Sequence, residues 1–198
     1  MRAPSNLKIY QPYVSYGAFF EKLKITSDSS NLFKESSEDM KNKVVILMGS
    51  KSDIEFSSKI AKHLEAFKLD FEYRVASAHK TPEKVLEIIK GYEDERIMYI
   101  TVAGRSNALS GFVDANTSKP VIACPPYSEK FGGADIYSSL RVPSGVGSLV
   151  TIEPEGAAVA AAKIFALNEP ELSRLVTEYQ LKNKRKIEES DRSVKEMG

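Results

Sequence analysis

Cysteine occurs once in this chain, at Cys124, so no internal disulfide can form and no cysteine-only metal cage can be built. Histidine occurs twice, at His63 and His79, which leaves little for a zinc site. No apolar run approaches the ~18 residues of a membrane span. An excess of one charge is lacking too: 28 Lys+Arg against 27 Asp+Glu gives a formal net charge of +1. So even a balance supplies no broad positive field for DNA or RNA. These absences argue against a disulfide scaffold, a membrane protein, a zinc module and a generic nucleic-acid binder. The 198 residues are 42% hydrophobic and 28% charged, ordinary values for a soluble globular protein, and a small cytosolic-type α/β domain is the expectation that remains. At ~150 residues per domain the length fits one domain with a tail, or two small ones.

Residues 1–43 read differently from the rest. Scattered aromatics (Tyr10, Tyr13, Tyr16, Phe19, Phe20) stand among polar runs, and only Phe19 to Ile25 could form a helical turn or two. The stretch weakly resembles an organelle transit peptide but is poor in arginine, and the plainer expectation is a poorly ordered extension. At Val44 the pattern changes. Val44 to Met48 is a continuous apolar run ended by Gly49-Ser50, as in a strand covered by helices on both faces. Ile54, Ile60, Ala61, Leu64 and Phe67 follow at helical spacing, and Phe71, Tyr73 and Val75 alternate as a strand. Thr81-Pro82-Glu83 opens a helix with Thr81 as N-cap, and Val85, Leu86, Ile89 and Tyr92 form its apolar face. Further strands are expected at Ile97–Val102, Val121–Cys124 and Ser148–Ile152, then a helix from Pro154 through Leu167. A charged helix from Glu171 to about Glu196 closes the chain, its apolar stripe fading after Lys182. Strands alternating with helices at this spacing predict βαβ units, a parallel sheet and a three-layer αβα sandwich. The expected divisions are an extension (1–43), the α/β domain (44–168) and the charged helix (169–198).

Ligands of an open parallel sheet bind at the carboxyl ends of its strands, where four polar or glycine-rich loops fall. The first is Gly49-Ser50-Lys51-Ser52-Asp53. Its hydroxyls and free N–H groups can hold an anion, while Asp53 suits a pair of sugar hydroxyls; a plain helix cap is an equal reading. It is neither a Walker loop nor a GxGxxG motif. The second, Ser77-Ala78-His79-Lys80, places a histidine beside a lysine, a proton exchanger next to a charge that neutralises phosphate or carboxylate. The third, Ala103-Gly104-Arg105-Ser106 and on to Gly111, has glycines for close approach to a planar ligand and Arg105 as a positive fork. In the fourth, Cys124-Pro125-Pro126-Tyr127, Cys124 reads as a packed thiol rather than a nucleophile. His63 falls mid-helix, and Lys182 to Lys186 on a solvated helix face.

Four motifs in order, Met48 to Asp53, Ser77 to Lys80, Ala103 to Asn107 and Ser139-Leu140-Arg141-Val142-Pro143-Ser144-Gly145, resemble the phosphoribosylaminoimidazole (AIR) carboxylase family of purine biosynthesis. The resemblance runs from about Val44 to Leu167. It implies a flavodoxin-like fold and a reaction needing no cofactor and no metal. One branch of the family rearranges an N5-carboxy carbamate, typically with arginine after the histidine and a loop of Ala-Gly-Gly-Ala-Ala-His type. The other carboxylates the ribotide directly with CO2. Lys80 and Ala103-Gly104-Arg105-Ser106-Asn107 are similar to the direct-CO2 branch, which includes the carboxylase domain of the animal bifunctional enzyme; 198 residues leave no room for that enzyme's synthetase domain. A tryptophan common after the first-loop aspartate is Ile54 here. The resemblance implies His79 as general base. It implies Gly49, Ser50, Ser52, Asp53, Ser77, Ala78, Lys80, Ala103, Gly104, Arg105 and Ser106 as substrate-binding residues. Within that set Ser50, Ser77 and Lys80 would hold the 5′-phosphate and Asp53 the ribose hydroxyls. It further implies aminoimidazole ribotide and CO2 as partners, a cytoplasmic location and a homo-oligomer, with an octamer expected. The alternatives are the mutase branch and a non-catalytic nucleotide- or flavin-binding module. The alanine-rich stretch 157–162 and the long segment from Pro125 to Gly145, with Tyr127, Phe131 and Tyr137, are the expected oligomer contacts.

Overall fold

An apolar run too short for a helix and ended by glycine becomes the interior strand β1 (Lys43–Met48). The computed structural model describes residues 41–197; the expectations for the N-terminal extension lie outside the described residues. The remaining elements are α1 (Ile54–Glu65), β2 (Asp70–Val75), α2 (Pro82–Gly91), β3 (Ile97–Val102), α3 (Ala108–Asp114), β4 (Val121–Ala123), the single turn α4 (Tyr137–Leu140), β5 (Leu149–Val150), α5 (Pro154–Ala166) and α6 (Pro170–Lys195). All five strands are parallel, in the order β2-β1-β3-β4-β5. The chain passes from β1 outward to β2, then returns across β1 to β3, so the switch of direction lies between β1 and β3.

Alternation along the buried strands divides the core into two layers. Val44, Ile46 and Met48 point with Met98, Ile100 and Val102 toward α1, α5 and α6. Val45 and Leu47 point with Ile97 and Tyr99 toward α2 and α3. This is the three-layer αβα sandwich that the pattern predicts, in the flavodoxin-like form that the resemblance implies. Alanine at 157, 158, 161 and 162 lets α5 lie close on α1, and α6 covers it through Leu172 and Val176. The small-residue surface of α5 is therefore consumed largely inside the chain. Tyr179 meets Phe67 in a tilted contact with ring centroids 5.1 Å apart, and beyond it α6 is solvated, with Ile187 and Val194 exposed.

Four local expectations are corrected. Leu86 is exposed, and Ile88 takes its place beside Val85 and Ile89 on the buried face of α2. Thr81 stands at the N-cap position but does not cap: its Oγ1 accepts the Ser77 backbone N–H at 3.0 Å instead. The fifth strand is two residues long rather than five, because β4 offers only Ile122 and Ala123 as partners. Residues 108–111, read as the end of the third loop, open the helix α3 instead. Asn107 caps it by accepting the Ser110 N–H, and Leu109 and Val113, one turn apart, enter the core.

Candidate functional site

The carboxyl ends of β1 and β3 are tied at the same level, since Gly49 N donates to Val102 O at 2.9 Å, one bond past the ladder. Ala76 N donates to Met48 O at 3.0 Å and extends β2 in the same way. Three polar loops therefore start side by side at the switch point. They enclose a crevice of about 510 Å³, closed along one flank by Pro126, Tyr127 and Ser128 of the segment after β4. All twelve residues singled out from the sequence line this one cavity.

In the first loop Ser50 and Asp53 form a reciprocal capping box on a single 3-10 turn: Ser50 Oγ accepts from Ser52 N, and Asp53 Oδ2 accepts from Ser50 N at 3.1 Å. The plain-cap reading is thus true, but it does not exhaust these side chains. Ser52 Oγ donates to Ser50 Oγ at 2.9 Å, so Ser50 accepts twice and keeps its own hydrogen for an acceptor in the cavity. Asp53 Oδ1 has no hydrogen-bond donor among the described residues. Burial pushes the Asp53 carboxyl above the ordinary aspartate range, and the Ser50 N–H only partly offsets this. Gly49 is required by close approach: a Cβ there would lie 3.2 Å from Ala103 Cβ.

In the second loop Ser77 Oγ accepts the Lys80 N–H at 3.3 Å, which fixes the turn and leaves the hydroxyl hydrogen available. His79 and Lys80 are exposed at the cavity wall. Among the described residues no carboxylate lies within ion-pair distance of Lys80 or Arg105. Two cationic heads and an imidazole thus meet in one crevice with their donors unspent, a setting suited to an anion.

In the third loop Gly104 lies under Pro126 and the Asp135 carboxylate, and any Cβ there would touch both at 3.7–3.8 Å. Gly111 is a correction. It sits in α3 against Val142 and Val146 and takes no part in the cavity. Cys124 is fully buried, and burial pushes its thiol up to about 12, so it packs and does not react. His63 is half-buried in α1.

Leu109, Pro126 and Tyr127 also line the cavity; sequence reasoning placed them in the third and fourth loops without a binding role, and it missed Ser128 in the lining and Asp135 and Ser138 behind it. The one available signal was Asn107 ahead of Leu109 and Val113, an N-cap before an i, i+4 apolar pair. The approach of Asp135 to Arg105 spans 30 residues and leaves no local trace.

A doubly wound parallel sheet with a hydroxyl- and cation-lined crevice at its switch point makes this a flavodoxin-like α/β protein whose crevice suits a small anionic ligand. Residues 43–186 match the family model for AIR carboxylase. The chain is 60% identical over 153 residues to phosphoribosylaminoimidazole carboxylase of Archaeoglobus fulgidus, covering 77% of this chain and 85% of that protein. It is 49% identical over 158 residues to the enzyme of the same name from Treponema denticola, covering 79% and 99%. The crystal structure of Treponema denticola PurE superposes with a TM-score of 0.76 over 78% of this chain and 99% of that one. With the bifunctional phosphoribosylaminoimidazole carboxylase/phosphoribosylaminoimidazole succinocarboxamide synthetase of Mus musculus it shares 46% over 132 residues, which span 31% of that protein. The chain belongs to the AIR carboxylase family.

Proposed function

We infer that the chain carboxylates 5-amino-1-(5-phosphoribosyl)imidazole with CO2 to the 4-carboxylate, a step of purine biosynthesis, and catalyses the reverse decarboxylation. The observation that carries this reading is the convergence of His79, Lys80, Arg105 and the capped serine–aspartate turn in one crevice. Ser50 and Ser77 each retain a hydroxyl hydrogen for a phosphate oxygen, and Lys80 supplies the positive charge. Asp53 Oδ1 accepts from the ribose hydroxyls. C4 of the aminoimidazole is the β-carbon of an enamine and attacks CO2 without further activation. The new tetrahedral carbon must then lose its proton; His79 takes it, and returns it in the decarboxylation. Ala103, Gly104, Arg105 and Ser106 border the base and the incoming carboxylate.

Lys80 after His79, and Arg105-Ser106 in the third loop, support CO2 itself as co-substrate. The test is an assay of the purified chain with the ribotide plus bicarbonate, with and without carbonic anhydrase. Faster initial turnover with carbonic anhydrase is expected. Consumption of the N5-carboxy carbamate alone would make the protein a mutase, and ribotide binding without turnover would make it a binding module.

The reading includes assembly as a homo-oligomer, an octamer by family resemblance. The segment after β4 supports it: Tyr127, which lines the crevice, is 73% exposed, and Tyr137 and Leu140 of the same segment are 64% and 55% exposed, apolar surface that another subunit would cover. A monomeric mass by light scattering at micromolar protein, with full activity, would refute it. With a charged ribotide as substrate the reading carries a cytoplasmic location, which cell fractionation tests.

A further inference from the structure

Two non-glycine residues among those described have a left-handed backbone, Lys68 (φ 55°) and Arg105 (φ 61°). Lys68 is explained by its place just past the end of α1, where Lys68 N reaches Glu65 O and Leu69 N reaches Leu64 O, a common helix termination. Arg105 follows a strand, and no helix end requires its conformation. It is held from outside its own loop. Arg105 N donates to Asp135 Oδ2 at 3.0 Å. Ser138 Oγ lies 3.0 Å from Arg105 O and 2.7 Å from Asp135 O, so its single hydrogen is divided between the two carbonyls. The same Ser138 Oγ accepts the Asn107 N–H at 2.9 Å, and Asn107 Nδ2 donates to Ser139 Oγ at 2.9 Å. One segment therefore grips the third loop on both sides of Arg105. A left-handed arginine costs of order 1–3 kcal/mol unless its surroundings compel it, and these bonds supply the compulsion. The Asp135 carboxylate is spent on the peptide N–H, which leaves the guanidinium without a carboxylate partner at the cavity wall.

We propose that Asp135 and Ser138 are positioning residues that lock the Arg105 backbone in its left-handed form, and so aim the guanidinium at the carboxylate that forms on the substrate. The proposal rests on the functional reading above. In an ordinary backbone region the same side chain would leave the loop in another direction.

The test combines steady-state turnover of the ribotide plus bicarbonate with hydrogen exchange of amides 103–107. Asp135→Ala should lower kcat/KM by roughly 10- to 100-fold, the loss of one charge-assisted bond, and speed exchange in that stretch. Asp135→Asn, which keeps an oxygen acceptor, should stay within about threefold of wild type. In an Arg105→Gly background Asp135→Ala should change kcat/KM by less than about threefold, since glycine needs no help at positive φ and no guanidinium remains to aim. Unaltered kcat/KM in Asp135→Ala, or an equal loss in both backgrounds, would overturn the proposal. Should Asp135→Ala fail to fold, Asp135→Ser, whose shorter side chain does not reach the Arg105 N–H, carries the same expectations. A wild-type chain inert toward the ribotide would sink the functional reading, and the exchange measurement would still decide the lock: unchanged exchange refutes it.

Discussion

Replacing Asp53 by asparagine separates its two duties in one experiment. In the folded chain Asp53 Oδ2 accepts the Ser50 N–H at 3.1 Å, while burial pushes the carboxyl pKa up. An asparagine oxygen can accept the same N–H, so the cap survives and the buried charge is gone. A folded-state pKa above the unfolded one means that the folded protein binds the proton more tightly. Ionisation of Asp53 therefore destabilises: its favourable contribution is complete below the unfolded pKa and is lost as pH rises through the raised folded value. Asp53→Asn should accordingly melt at or above the wild-type temperature at pH 7, and the difference should vanish as the pH falls below about 4. Substrate affinity should move the other way. A carboxylate accepting from ribose hydroxyls contributes ~1.5–3 kcal/mol per hydrogen bond, so loss of one such bond weakens binding roughly 10- to 150-fold. Asp53→Ala is the control: it loses the cap as well and should cost about 1 kcal/mol of stability. Thermal melts at pH 7 and pH 4 with calorimetry of ribotide binding measure both effects. Affinity within twofold of wild type would show that Asp53 only caps the turn, and a less stable Asn variant at pH 7 would show that burial is not its dominant environment.

His79→Asn should fold and bind ribotide normally but turn over ~10²-fold or more slowly, the usual loss of a positioned acid–base group; near-normal turnover in a stopped assay would remove His79 from the mechanism. Gly49→Ala places a methyl group 3.2 Å from Ala103 Cβ, so it should cost about 1–3 kcal/mol of stability and raise KM by parting the first and third loops; a melt and KM equal to wild type would mean that the two loops move apart freely. Cys124, buried with its thiol pushed up to about 12, should resist alkylation at pH 8 in the native protein and react fully after denaturation. Rapid labelling of the native chain would contradict that burial.

The chain's local chemistry determined the class of fold and where on it to look. Val44 to Met48 is apolar without a break and Ile97 to Val102 is broken only by Thr101, runs that suit a short strand covered on both faces, and their loops begin with Gly49, Ala103 and Gly104. The four motifs were legible for the same reason: each is contiguous, and parallel strands deliver consecutive loops to one edge of the sheet. A continuous apolar strand nonetheless says nothing about which face a residue takes, so the division of Val44 from Val45 between the two layers had to come from the packed helices. Leu86 and Ile88 exchanged places because both fit a helical stripe and only the position of the sheet selects between them. Helix α3 was hidden by Ser110 and Gly111, loop formers by propensity that Val142, Val146 and the core hold in a helix. Neither the left-handed Arg105 nor its capture by Asp135 and Ser138 could be read along the chain, because 30 and 33 residues separate the partners. Residue type and local spacing thus determined the strands and the loops, and the contiguous motifs in those loops carried the resemblance that named twelve residues of the cavity's lining. Tertiary packing decided the geometry that aims them, since that geometry depends on contacts between segments distant in sequence.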